Sequence, residues 1–228
     1  IPNNILMYFC KTIIFKMNYS TSDFTLGILG GGQLGKMLLQ VTSRLSIKTN
    51  ILDPSDDSPC KEMCSEFTKG QLMDFDAVYN FGKKCDVVTY EIEHVNVDAL
   101  EKLERNGVNV YPDSKTLKII QDKSTQKDFF LKNNIPTANH KYFKSLKDLE
   151  NIKYPCVWKK TKFGYDGYGV KILKSKEDFK NLPETEFIIE DLIPFKKELA
   201  TTVARNKSGQ IEIFPIVEMM FNETSNQV

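Results

Sequence analysis

The alternation of apolar and polar positions divides the chain into two styles. Phe24 to Leu29 is a short apolar run followed by glycines, the pattern of a buried strand. Leu34, Met37, Leu38, Val41 and Leu45 then recur at helical spacing. Ile47 to Leu52 reads as a second strand and ends in Asp53-Pro54. Strand, turn, helix and strand in this order imply parallel strands joined by a right-handed crossover. The pattern repeats more loosely: Asp86 to Tyr90 reads as a strand, Val97 to Arg105 as a helix with Leu100 and Leu103 on one face, and Val108 to Tyr111 as a short strand closed by Pro112. Alternating strands and helices predict an open α/β layer, here over residues 17–112.

Ser114 to Asn133 reads as one helix, broken by Asn134-Ile135-Pro136, because proline disfavours helix in the residue before it. Beyond this break the style changes. Pro155 to Lys160 and Val170 to Leu173 are strands, so the glycine-rich segment between them reads as a hairpin tip. Phe187 to Ile189, Glu198 to Arg205 and Ile211 to Val217 are further strands, with Ser208-Gly209 as a turn. Residues 113–228 therefore predict an α+β domain with antiparallel strands.

The first sixteen residues, IPNNILMYFCKTIIFK, have an apolar run too short to span a bilayer and no small-residue cleavage site. Met17 opens the stretch that leads into the first strand, so residues 1–16 are expected to be a non-native or disordered extension. Composition narrows the function classes. Hydrophobic residues are 41% and charged residues 27% of 228, an ordinary globular balance. Lys plus Arg is 31 against 30 Asp plus Glu, with no basic stripe, so neither a nucleic-acid partner nor a membrane surface is expected. The five cysteines show no Cys-x-x-Cys pair, and no His or Cys follows Cys60 and Cys64 at zinc spacing. Reduced, structural cysteines and a cytoplasmic location are expected.

Two glycine clusters carry candidate chemistry. Gly30-x-Gly32-x-x-Gly35 follows a strand and opens a helix, and Asp53 ends the next strand. Such a turn presents backbone N–H groups to a phosphate, and the Asp suits a ribose hydroxyl. Tight strand-to-helix turns also need glycine for packing alone. The second cluster is more specific. Lys159 leaves a strand, and Gly164-Tyr165-Asp166-Gly167-Tyr168-Gly169-Val170 follows. Three glycines let the hairpin close over a triphosphate with its N–H groups as an anion nest, while Lys159 supplies a point cation. The pattern is not G-x-x-x-x-G-K-[ST] and excludes a P-loop nucleotidase. Glu190-Asp191-Leu192-Ile193 then ends a strand, and Glu198 opens the next. A connector of this kind reads adenine through its backbone, and a carboxylate after it accepts ribose hydroxyls.

Together these segments resemble the ATP-grasp superfamily, and within it the N5-carboxyaminoimidazole ribonucleotide synthetase family, most of all its single-function bacterial members. The resemblance rests on Gly27 to Leu38, Leu52-Asp53-Pro54, Thr89 to Val95, Tyr111-Pro112, Ile120 to Lys123, Gln126-Lys127, Gly164 to Gly167 and Phe214 to Glu218, all in family order. It implies a fold of class α/β plus α+β: a Rossmann-like pre-ATP-grasp domain followed by an incomplete ATP-grasp domain. It implies that Lys123 and Lys159 contact ATP phosphates, that Gly164 to Val170 covers them, that Glu190 to Ile193 holds adenine and that Glu198 holds ribose. Gln33, Glu91, Glu93 and Tyr165 are implied on the side of the substrate, 5-aminoimidazole ribonucleotide. The implied reaction joins bicarbonate to the exocyclic amine of that substrate while ATP becomes ADP and phosphate, in a homodimer of full-length chains.

Family members continue with magnesium-binding acidic positions that do not occur before Val228, so no metal ligand is expected within this chain. The chain is expected to be a fragment, inactive alone. Phe221 and Asn222 stand where a nucleotide-contacting His is usual, and Tyr168 where Arg, Lys or Asn is usual. His94 is expected to be structural, and His140 has no partner visible in sequence. Two other readings stay open: a nucleotide-binding oxidoreductase using Gly30 to Gly35, and an inactive ATP-binding remnant.

Overall fold

A computed structural model describes residues 23–149, 151–162, 164 and 169–220. The expected extension over residues 1–16 lies outside them, as do Met17, Tyr165, Asp166, Gly167, Tyr168, Phe221 and Asn222. The chain forms two compact units, one ending at Gln121 and the other starting at Asp122.

The first unit is a parallel sheet with helices. Its elements are β1 (Thr25–Leu29), α1 (Gln33–Arg44), β2 (Lys48–Asp53), β3 (Glu66–Lys69), α2 (Phe75–Gly82), β4 (Val87–Tyr90), α3 (Val97–Arg105), β5 (Asn109–Val110) and α4 (Ser114–Ile120). Strand order is β3-β2-β1-β4-β5, with every pairing parallel. Ile28 pairs with Ile51 and Leu29 with Leu52. Side chains alternate across a strand, so the two pairs face opposite sides of the sheet. Ile28 and Ile51 pack with Leu39 and Cys60. Leu29 and Leu52 pack with Val78, Phe81, Val88, Leu100, Leu103 and Leu117. Both faces are covered, which is why apolar side chains of β1 and β2 are buried on both sides of the sheet.

Helix α1 forms where the spacing predicts, but its apolar stripe does not meet the sheet. Leu34, Met37, Leu38, Val41 and Leu45 are exposed, while Gly35, Leu39 and Thr42 are buried. Close approach decides the rotation. A Cβ on Gly35 would sit 2.8 Å from the Gly30 carbonyl, so only glycine lets this helix face close against the turn.

The predicted single helix over Ser114 to Asn133 is two helices. Asp122 is extended, and its carboxylate accepts the N–H groups of Ser124 and Thr125 at 2.9 and 3.2 Å, capping α5 (Lys123–Lys132). Helix α4 ends before it and buries Leu117 in the first unit's core. The division between units therefore falls at Gln121, beyond the expected Pro112.

In the second unit, β6 (His140–Phe143), β7 (Cys156–Lys160), β8 (Val170–Leu173) and β9 (Phe187–Asp191) form an antiparallel sheet in the order β6-β9-β7-β8. Its core contains Phe143, Trp158, Leu173, Phe179, Phe187 and Ile189, with the Phe143 and Phe187 rings stacked at 5.3 Å. The two long strands predicted later are each split, into β10 (Leu199–Ala200), β11 (Val203–Arg205), β12 (Ile211–Ile213) and β13 (Val217–Glu218). Val203 pairs with Ile213 and Ala200 with Val217, so residues 201–202 lie opposite residues 214–216. The unequal lengths force a bulge, and Pro215 has no N–H to continue the ladder.

Candidate functional site

Among the described residues, the second unit holds the most deeply buried ion-pair cluster. Lys159 leaves β7 beside the hairpin: it pairs with Val170, and the Lys160 N–H donates to the Gly169 carbonyl at 2.8 Å. Gly169 has φ +86°, which favours glycine at this closing position. Glu190, near the end of β9, is buried. Its Oε2 lies 2.8 Å from Lys159 Nζ and its Oε1 3.0 Å from Lys127 Nζ. The Oε1 contact is an ion pair outside hydrogen-bond alignment, since that oxygen has no hydrogen-bond donor. Lys127 also donates to Thr137 Oγ1.

Burial alone would push the Glu190 carboxyl up, but the hydrogen bond from Lys159 and the charges of Lys159 and Lys127 outweigh it and hold the group below its usual value of 4.5. A depressed carboxyl contributes stability that is fully present above its unfolded value and is lost as pH falls through the folded one. Glu190→Gln is therefore expected to flatten the loss of unfolding free energy below about pH 4.5, read by urea titration at a series of pH values. An unchanged acid limb in that variant would show the pair to be without weight.

The other expected nucleotide contacts lie in the same unit. Lys123 is half-buried at the start of α5, where its backbone N–H donates to the Thr161 carbonyl at 2.9 Å, just past β7. Asp191 is exposed and accepts from Asn139 Nδ2 at 2.9 Å. Leu192 is half-buried and Ile193 exposed in the connector, and Glu198 is exposed before β10. Gly164 is half-buried. Lys127 received no role from the sequence. Its signal was a lysine one turn after Lys123 on the same helix.

In the first unit the glycine turn sits at the carboxyl end of β1, between β2 and β4, where the strand order reverses. Ligands of open α/β sheets bind at such a point. Here the turn's N–H groups are already taken. Gly31 N–H donates to Asp53 Oδ2 at 2.7 Å, and Gly32 N–H to Glu91 Oε1 at 3.2 Å. Burial pushes the Glu91 carboxyl up, against the Gly32 hydrogen bond, and the charge of Asp53 adds to the rise. Two carboxylates in the cradle oppose a phosphate at Gly31 and Gly32, which weighs against the oxidoreductase reading. Gln33 and Glu93 are exposed, and Glu91 is half-buried. Cys60 and Cys85 are buried thiols whose pKa burial pushes up to about 11 and about 12, so they are poor nucleophiles.

Comparison with known proteins matches residues 24–121 to the ribonucleotide synthetase preATP-grasp domain and residues 128–227 to the ATP-grasp domain. The pairing defines an ATP-grasp protein with its preceding Rossmann-like domain. More narrowly, the chain belongs to the N5-carboxyaminoimidazole ribonucleotide synthetase family. It is 34% identical to the N5-carboxyaminoimidazole ribonucleotide synthase of Staphylococcus aureus strain COL, covering 93% of this chain and 58% of that one. It is 37% identical to the phosphoribosylaminoimidazole carboxylase of Candida glabrata, over 85% of this chain and 36% of that one. The yeast relative is thus no more distant than the bacterial one. The crystal structure of N5-carboxyaminoimidazole synthase from Aspergillus clavatus, in complex with ADP and 5-aminoimidazole ribonucleotide, superposes with TM-score 0.77 at 31% identity, covering 91% of this chain and 56% of that one. The chain spans between about a third and three fifths of the curated relatives' lengths.

Proposed function

We propose that the full-length protein carboxylates 5-aminoimidazole ribonucleotide with bicarbonate at the expense of ATP, giving N5-carboxyaminoimidazole ribonucleotide, ADP and phosphate for purine biosynthesis. The observation that carries this reading is Lys159, paired with buried Glu190 at the base of the glycine hairpin, within a chain that matches this family across both units.

A bicarbonate oxygen attacks the γ-phosphorus, the bond to the bridging oxygen breaks, and ADP leaves. The substrate amine then attacks the carboxyl carbon, phosphate departs, and the nitrogen loses its proton. Transfers of this kind depend on positioning and charge neutralisation. Lys159 and Lys123 neutralise phosphate, Gly164 to Val170 covers it and shields the activated carboxyl from water, Glu190 to Ile193 receive adenine and Glu198 ribose. Gln33, Glu91, Glu93 and Tyr165 serve the ribonucleotide. Among the described residues no group of three or more His, Cys, Asp or Glu could hold a metal ion. Magnesium with the triphosphate and a homodimer belong to the same proposal. So does a cytoplasmic location, to which four free described cysteines are suited. No helix among the described residues is long and apolar enough to cross a membrane.

The test is ADP release by the full-length protein. Release is expected only when ATP, bicarbonate and 5-aminoimidazole ribonucleotide are all present, with label from 13C-bicarbonate in the product. Release that ignores the ribonucleotide, or tight NAD binding without ATP binding, would overturn the proposal.

A further inference from the structure

Lys127 is nearly enclosed, with a side chain 10% exposed, whereas the Lys159 side chain is 30% exposed. Both cations share one carboxylate, Glu190, through separate oxygens. The cluster therefore carries one net positive charge, and only Lys159 is open enough to present it. Thr137 Oγ1 also accepts a hydrogen bond from Lys127.

We propose that Lys127 is a positioning residue that serves as the standing counter-ion of Glu190, leaving Lys159 free to leave that carboxylate for a nucleotide phosphate. This rests on the reading of Lys159 as a phosphate contact and deepens it. Without Lys127, Glu190 and Lys159 form a closed neutral pair. An incoming phosphate must then break that pair and leave a buried carboxylate alone, which is strongly unfavourable. With Lys127 in place, Glu190 keeps a partner when Lys159 moves. A lysine that only filled space would not couple to the charge of Glu190 in this way.

The experiment compares Lys127→Met, Lys127→Arg, Lys159→Ala and the double variant Lys127→Met/Glu190→Gln in the full-length protein. ADP affinity is measured by calorimetry, and KM for ATP and kcat by steady-state turnover, at temperatures where melting curves show each variant folded. Lys127→Met is expected to weaken ADP binding and raise KM for ATP about tenfold, equivalent to about 1.4 kcal/mol, with a smaller change in kcat. Lys127→Arg keeps the charge and is expected to stay within about threefold of the parent on the same scale. The double variant restores one net positive charge and removes the lone carboxylate. Its ADP affinity is expected within about fivefold of the parent, because the segment from Glu190 reads adenine through backbone groups that the substitution keeps. It also serves if Lys127→Met alone fails to fold, because it buries no unpaired charge. A double variant weaker than that limit overturns the proposal. If Lys159→Ala abolishes ADP binding while Lys127→Met leaves it unchanged, the counter-ion role falls and the nucleotide site stands. If Lys159→Ala also binds normally, the nucleotide site itself is wrong.

Discussion

Alanine at position 159 is expected to lower kcat/KM for ATP by roughly 10²–10³-fold in the full-length protein, the usual cost of removing one preorganised charge-stabilising group. The cation stands at the end of β7, paired with Val170 across the hairpin and held 2.8 Å from Glu190. The fold should survive the change. Lys127 remains 3.0 Å from Glu190, so the buried carboxylate is not orphaned. A lost rate with an unchanged melting curve would thus report the site and not unfolding. ADP formation measured over a range of ATP concentrations checks this. Near-normal turnover would remove Lys159 from the phosphate site.

Gly30→Ala is expected to be the most damaging small substitution in the first unit, costing roughly 2–5 kcal/mol from backbone strain and overpacking combined. Gly30 has φ +102°, a region that L side chains rarely adopt. A Cβ there would lie 2.5 Å from Glu91 Oε1 and 2.8 Å from Glu91 Cγ. Glu91 can swing aside, but it then gives up the Gly32 N–H that it accepts at 3.2 Å. The strain in the backbone remains in either case. Urea denaturation followed by a probe in the first unit measures the effect. A variant within about 1 kcal/mol of the parent would show that the turn relaxes freely, against the cost expected for such a position.

The hairpin between β7 and β8 was legible in the sequence because its strands alternate and its glycines mark the tip. Lys159 and Glu190 were legible as strand-end residues for the same reason. The segment carrying β3 and α2 was not read. Its strand is only Glu66–Lys69, and α2 reveals itself through Val78 and Phe81, whose burial depends on α3 packing against them. The helix over Ser114 to Asn133 kept helical spacing throughout. Its break at Asp122 comes from a side-chain cap and from a backbone bridge to Lys162, neither of which leaves a periodic trace. The α1 stripe misled in another way, because amphipathic spacing reports that a helix has two faces but not which one packs.

By itself the sequence determined the two kinds of domain, the order of most strands and helices, and the family, since each rests on local periodicity or on motifs read in line. Tertiary structure alone decided that Asp53 and Glu91 fill the first glycine turn, that α1 turns Gly35 and Leu39 inward, and that Lys127 and Lys159 share Glu190. Those facts depend on distances between elements far apart in the chain. Electrostatic coupling and close packing are set by such distances, and spacing along the backbone does not encode them.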